Sequence, residues 1–90
     1  MVFVREGCPY CSKLLEELEK TGFDFRVFDI DSRESIEHLK RMGMLVKEPP
    51  LLQTPNNFYV LPDFFDDCQL ERYDEELLEM IMRGLTYIWN

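Results

Sequence analysis

Two apolar runs near the start of the chain each lead straight into a stretch with helical spacing, and this alternation narrows the possible folds more than any other feature. Met1-Val-Phe-Val4 is rich in β-branched and aromatic residues and stops at Arg5-Glu6-Gly7. From Pro9 onward, Cys11, Leu14, Leu15 and Leu18 recur at helical spacing while Glu16, Glu17, Glu19 and Lys20 take the opposite face, and Thr21-Gly22 ends the run. Phe23 to Ile30 reads as a second strand, its aromatic and β-branched residues outweighing its charges. Asp31-Ser-Arg-Glu34 then has the form of a capping box, with Asp31 accepting from the first turn of a second helix that carries Ile36, Leu39 and Met42 inward and stops at Gly43. Strand, helix, strand and helix in so short a span require a parallel βαβ unit.

The remainder reads as a β-hairpin followed by a helix. Pro50 to Thr54 and Phe58 to Leu61 are two short strands joined by the turn residues Pro55-Asn56-Asn57. Pro62 to Asp67 is a loop or a single helical turn, under which Phe64 and Phe65 are expected to pack. Asp74 caps a last helix that buries Leu77, Leu78, Ile81, Leu85 and Ile88. The order β-α-β-α-β-β-α predicts an α/β fold, a four-stranded mixed sheet flanked by helices. At 90 residues the chain is long enough for one modest core, so a single domain spanning 1–90 is expected.

Charge excludes some functions. With 18 acidic and 10 basic side chains the formal net charge is -8, which disfavours attraction to nucleic acid or to anionic lipid. No apolar stretch approaches the length of a bilayer span, and the first residues lack the pattern of a secretory signal. A cytoplasmic monomer is the expectation.

Cys8-Pro-Tyr-Cys11 sits where the first strand gives way to the first helix. Such spacing serves a metal site, a structural disulfide or a redox pair. Three cysteines, an odd number, do not make a secreted-type disulfide framework. Structural zinc takes four ligands, and Cys68 and the single histidine, His38, form no second knuckle; His38 reads as a solvated helix residue and Cys68 as a spare thiol. No metal is expected. A redox pair fits better because the two sulfurs differ in setting. Cys8 stands at the helix N-terminus, where unpaired N–H groups and the positive end of the dipole favour a thiolate nucleophile. Cys11 shares its face with Leu14 and Leu18 and is suited to be the buried resolving thiol. Pro9 stiffens the connection, and Tyr10 presents an amphipathic ring beside the reactive sulfur.

These residues resemble a glutaredoxin of the thioredoxin fold, with Cys8-Pro-Tyr-Cys11 as the dithiol active site and the element order agreeing over nearly the whole chain. The resemblance implies a glutathione-linked oxidoreductase that reduces protein disulfides or glutathione mixed disulfides. Its expected partners are glutathione, disulfide-containing proteins and a flavoprotein reductase. It also implies that Arg5 contacts a glutathione carboxylate and that Pro50 is the family's cis-proline opening the third strand, 42 residues beyond Cys8. A competing alignment uses Pro62, at the cost of burying carboxylates of Asp63 to Asp67 in a central strand.

The chain departs from the family pattern at two points. The residue before the cis-proline ordinarily pairs its N–H and C=O with glutathione; here it is Pro49, which has no N–H. The Gly-Gly pair that follows the fourth strand in the family is absent, leaving Asp66 and Asp67 either to meet a glutathione ammonium or to cap the last helix, the cap being favoured. These departures support one alternative, a thioredoxin-like reductase of protein disulfides that does not use glutathione, such as an electron donor to a ribonucleotide reductase; the resemblance itself implies another, an iron-sulfur carrier, as some glutaredoxins are.

Overall fold

The computed structural model of the chain describes residues 1–44, 48–55 and 57–89, with side chains as far as residue 84 in the last helix. Four short strands form one mixed sheet. Strand β1 (Val2–Val4) pairs parallel with β2 (Val27–Asp29) and antiparallel with β3 (Leu51–Gln53), which in turn pairs antiparallel with β4 (Phe58–Tyr59). The second strand is shorter than the aromatic run Phe23 to Ile30 suggested. Its partner β1 has only three residues, and pairing ends with Val2 N–H donating to Arg26 O and Ile30 N–H donating to Val4 O, both at 2.8 Å.

Side-chain alternation across the central strands builds two cores. Val2 and Leu52 face one way and join Leu14 and Leu18 of helix α1 (Pro9–Lys20) together with Leu78, Ile81 and Met82 of the last helix, α4 (Glu75–Trp89). Phe3 and Leu51 face the other way and meet Ile30 and Leu39, the latter from helix α2 (Arg33–Arg41). Strands covered on both faces read as continuous apolar runs, which is why Val2-Phe-Val4 and Leu51-Leu52 lack polar alternation.

Helix α2 differs from the expected capping. Its N-cap is Ser32, whose Oγ accepts from Ser35 N–H at 3.2 Å, while Asp31 lies outside the helix in an ion pair with Arg5. Ser35, 1% exposed, and Leu39 form the inward stripe at i, i+4; Ile36 and Met42 are left 53% and 50% exposed. His38 is not a solvated side chain: its ring stacks on Phe3 at 5.8 Å, and its Nε2 lies 2.8 Å from Gln53 Oε1. At the far end Gly43 takes φ +74, and Met44 N–H donates to Leu39 O at 2.9 Å, closing the helix.

Thr54 and Asn57 bracket the hairpin turn through Thr54 N–H to Asn57 O at 2.9 Å; Asn56 lies outside the described residues. After β4 the chain makes one helical turn, α3 (Leu61–Phe64), and a 3-10 turn at Asp66–Cys68. Pro62 falls in the first turn of α3, so no central strand runs through Asp63 to Asp67. Phe64 and Phe65 are both 0% exposed and lie in the same core as α1 and α4. Asp74 Oδ1 accepts from Glu76 N–H at 3.0 Å and Leu77 N–H at 3.1 Å, so Asp74 caps α4 and neither Asp66 nor Asp67 does. Leu78 and Ile81 are buried as expected and Leu77 half-buried, whereas the side chains of Leu85 and Ile88 lie outside the described residues. Among the described residues no helix is long and apolar enough to cross a membrane.

Candidate active site

The turn that delivers the first cysteine is set by Arg5-Glu6-Gly7. Cys8 N–H donates to Arg5 O at 3.3 Å, and Gly7 sits at φ +79, a conformation that a side chain would strain. Cys8 is then the N-cap of α1 with extended backbone, and Pro9 begins the helix, where its missing N–H costs nothing. The sulfur takes the place of the usual capping oxygen: Cys11 N–H donates to Cys8 Sγ at 3.2 Å. That donor lies at the positive end of the helix dipole.

The two thiols stand apart in environment. Cys8 is half-buried and lines a cleft of about 460 Å³, whereas Cys11 is 2% exposed and packed within α1. Burial first, and then its hydrogen bond with Cys8, push the Cys11 thiol up to about 12. One sulfur is open to a substrate and the other is held protonated behind it.

Opposite Cys8 stands the loop entering β3. The Pro49–Pro50 peptide bond is cis, which settles the choice between Pro50 and Pro62 in favour of Pro50. Pro49 O lies 3.9 Å from Cys8 Sγ, within the long reach of a thiol donor, and Pro49 lines the cleft. Pro50 itself is fully buried behind it. At Pro49 the edge facing Cys8 therefore offers an acceptor and no N–H.

Tyr10 and Arg5 also line the cleft, and both are engaged within the protein. Tyr10 stacks edge-on against Phe65 at 5.0 Å, and its hydroxyl donates to Cys68 O at 2.7 Å. Arg5 grips Asp31 with two bonds, Nε to Oδ2 at 2.8 Å and a terminal nitrogen to Oδ1 at 3.0 Å. This pair raises the guanidinium pKa and holds the Asp31 carboxyl below its ordinary range. Asp66 and Asp67 follow Phe65 but do not line the cleft; Asp67 pairs with Arg72 at 2.9 Å.

Five lining residues were not singled out as site residues by the sequence reading: Glu6, Gly7, Glu48, Leu61 and Cys68. The two glutamates are neighbours of Arg5 and Pro49, so adjacency could have flagged them. Cys68 is brought in by the packing of Phe64 and Phe65, and its approach to Tyr10 across 58 residues has no local signal. It is exposed at the rim, on two successive residues with positive φ, Asp67 at +53 and Cys68 at +56. Among the described residues no three histidine, cysteine or acidic side chains are grouped as a metal site requires.

A mixed sheet with helices on both faces, carrying Cys-x-x-Cys where the first strand meets the first helix and a cis-proline across from it, defines a thioredoxin-like protein. The family model of glutaredoxin matches residues 1–50, more than half of the chain and the part that holds both cysteines and the Pro49–Pro50 bond. The chain belongs to the glutaredoxin family, a family of thiol oxidoreductases. Neither the curated proteins nor the solved structures gave a significant match.

Proposed function

We propose that residues 1–90 act as one domain that reduces disulfides through Cys8 and Cys11, with glutathione as the thiol that restores the pair. The supporting observation is the asymmetry of the two sulfurs, one on the cleft wall and one 2% exposed behind it. Cys8 thiolate attacks one sulfur of the substrate disulfide; the new bond is Cys8–S–S–R, and the other substrate sulfur leaves as a thiolate that takes a proton from solvent. Cys11, once deprotonated, attacks Cys8, forms the Cys8–Cys11 disulfide and releases the second substrate thiol. Two electrons have then passed from the protein pair to the substrate. Two glutathione thiols, or a flavoprotein reductase, return them. In the mixed disulfide Cys8 no longer holds the Cys11 proton, so part of what keeps Cys11 protonated disappears when Cys11 is needed.

A second reading, reduction of protein disulfides with no glutathione seated in the cleft, is favoured by Pro49, whose lack of an N–H removes one donor from the edge facing Cys8. The loss of one ordinary hydrogen bond weakens binding by about 0.5 to 1.5 kcal/mol.

Cys11→Ser separates the two. This variant supports only the one-thiol route, in which glutathione itself releases the mixed disulfide from Cys8. Turnover of a glutathione mixed disulfide close to that of the parent protein is the outcome expected of a glutathione-linked enzyme. No turnover in the variant, with the parent still reducing a protein disulfide, selects the second reading. If the parent reduces neither substrate, dithiol catalysis is excluded.

A further inference from the structure

Polar groups on the cleft walls are unevenly divided between donors and acceptors. Glu6 and Glu48, both exposed, contribute two carboxylates, and Pro49 presents its carbonyl toward Cys8. The side-chain donors lining the cleft are engaged within the protein. Arg5, the one basic residue lining the cleft among those described, gives two of its N–H groups to Asp31; Tyr10 gives its hydroxyl to Cys68 O, and Cys11 N–H is directed at the Cys8 sulfur. Asp31 also offsets the Arg5 charge at short range, which leaves Glu6 and Glu48 as the lining side-chain charges with no ion-pair partner among the described residues. The chain as a whole, at -8, adds to these charges in the same direction.

Such walls fit a ligand rich in donors and positive charge. Glutathione is the reverse, with more carboxylates than ammonium groups. We infer that the cleft selects polypeptide disulfides flanked by lysine or arginine, with the Glu6 and Glu48 carboxylates as the determinants of that choice. The inference rests on the disulfide-reductase reading above and adds its substrate class. Cationic side chains beside the disulfide meet Glu6 and Glu48 while backbone N–H groups of the substrate meet Pro49 O, and the substrate sulfur is brought to Cys8. Bond exchange then proceeds as described, with the substrate disulfide as oxidant and the Cys8–Cys11 dithiol as reductant.

The test uses the reduced full chain in single turnover, so that no recycling reductant takes part. Two peptides of equal length, each with one internal disulfide, carry either lysine or glutamate on both sides of their cysteines. Acid-quenched samples are resolved by chromatography to follow disulfide loss. At low ionic strength the lysine peptide should react about tenfold faster than the glutamate peptide, the ratio falling to about twofold in 0.5 M salt as the charges are screened. The double variant Glu6→Lys/Glu48→Lys remains net acidic, so it should reverse the preference if the two local carboxylates set it. Equal rates for the two peptides, or a lysine preference that persists in the double variant, would overturn the inference while leaving disulfide reduction standing. Should neither peptide be reduced by the parent chain, the reductase reading fails and the inference with it. A double variant that fails to fold, judged by circular dichroism, leaves the salt dependence of the parent chain as the deciding measurement.

Discussion

The wall of the cleft that carries Cys8 is made within seven consecutive residues, Arg5 to Cys11, whereas the wall facing it takes Pro49 from the loop before β3 and Leu61 and Cys68 from beyond β4. The near wall is a local device. A glycine turn, a proline at the helix start and a sulfur at the N-cap place Cys8 by backbone geometry alone. The far wall is a tertiary product, held by the burial of Phe64 and Phe65 and by the reach of Tyr10 to Cys68 O. The first wall supplies both sulfurs and the second the Pro49 carbonyl, with one glutamate on each, Glu6 and Glu48, so the two should respond differently to substitution.

The largest effect belongs to the near wall. Cys8→Ser removes the only cleft-lining thiol at the helix N-terminus, and disulfide reduction should fall by at least about a thousandfold with the fold intact. Residual activity carried by Cys68 would show that the walls share the chemistry after all. Next, Phe65→Ala should cost about 3 to 5 kcal/mol in denaturant unfolding, as expected for truncating a fully buried aromatic. In the fraction that remains folded, Cys8 should still be alkylated at the parent rate, because nothing in its own wall has changed. Slow alkylation there would mean that the far wall also tunes the nucleophile.

A third measurement concerns pH. Burial raises Cys11 from 9.0 to about 12 and Tyr73 from 10.0 to about 12 in the folded chain. For acids whose folded pKa is raised, the unfolded chain loses protons first as pH climbs. The stability these groups contribute is therefore complete below pH 9 and declines as pH rises from 9 toward 12. The melting temperature of the reduced protein should drop over that range, and Cys11→Ser/Tyr73→Phe should flatten the drop. An identical decline in the variant would assign alkaline sensitivity to other groups.

A smaller effect is expected at the far wall. Pro49→Val restores an N–H on the edge facing Cys8, and glutathione mixed-disulfide turnover should rise about two- to tenfold, the equivalent of one ordinary hydrogen bond. A fall instead would place the proline ring itself in substrate contact. Smallest of all, Tyr10→Phe removes only the bond from the hydroxyl to Cys68 O and keeps the ring on Phe65. The expected loss is about 1 kcal/mol of stability by chemical denaturation.

Particular residues show why some of this was readable beforehand. The buried placement of Leu14 and Leu18, the capping role of Asp74 and the helix start at Pro9 follow from spacing and local hydrogen-bonding chemistry, and they stand as read. Asp31 misled because its carboxylate suits a cap as well as Ser32 does. Only the nearness of Arg5 across the sheet edge draws it away, and Ser32 then takes the cap. Ile36 lost its predicted burial because the helix turns Ser35 and Leu39, rather than Ile36 and Leu39, inward. His38 looked solvated because its sequence neighbours are charged; the Phe3 ring and Gln53 that enclose it come from β1 and β3.

The sequence by itself determined the strand-helix-strand-helix order, the position of Cys8 and Cys11 at the first junction, and Pro50 as the cis-proline of the loop opposite them. All three depend on interactions within a few residues, or on a spacing the family shares. Only the tertiary structure decided that Arg5 pairs with Asp31, that Tyr10 is tied to Cys68, and that glutamates line the cleft where a ligand would meet them. Those contacts join segments far apart in the chain, and the free energy that brings them together is the burial of Phe64, Phe65, Leu51 and Leu52 rather than any property of the residues that meet.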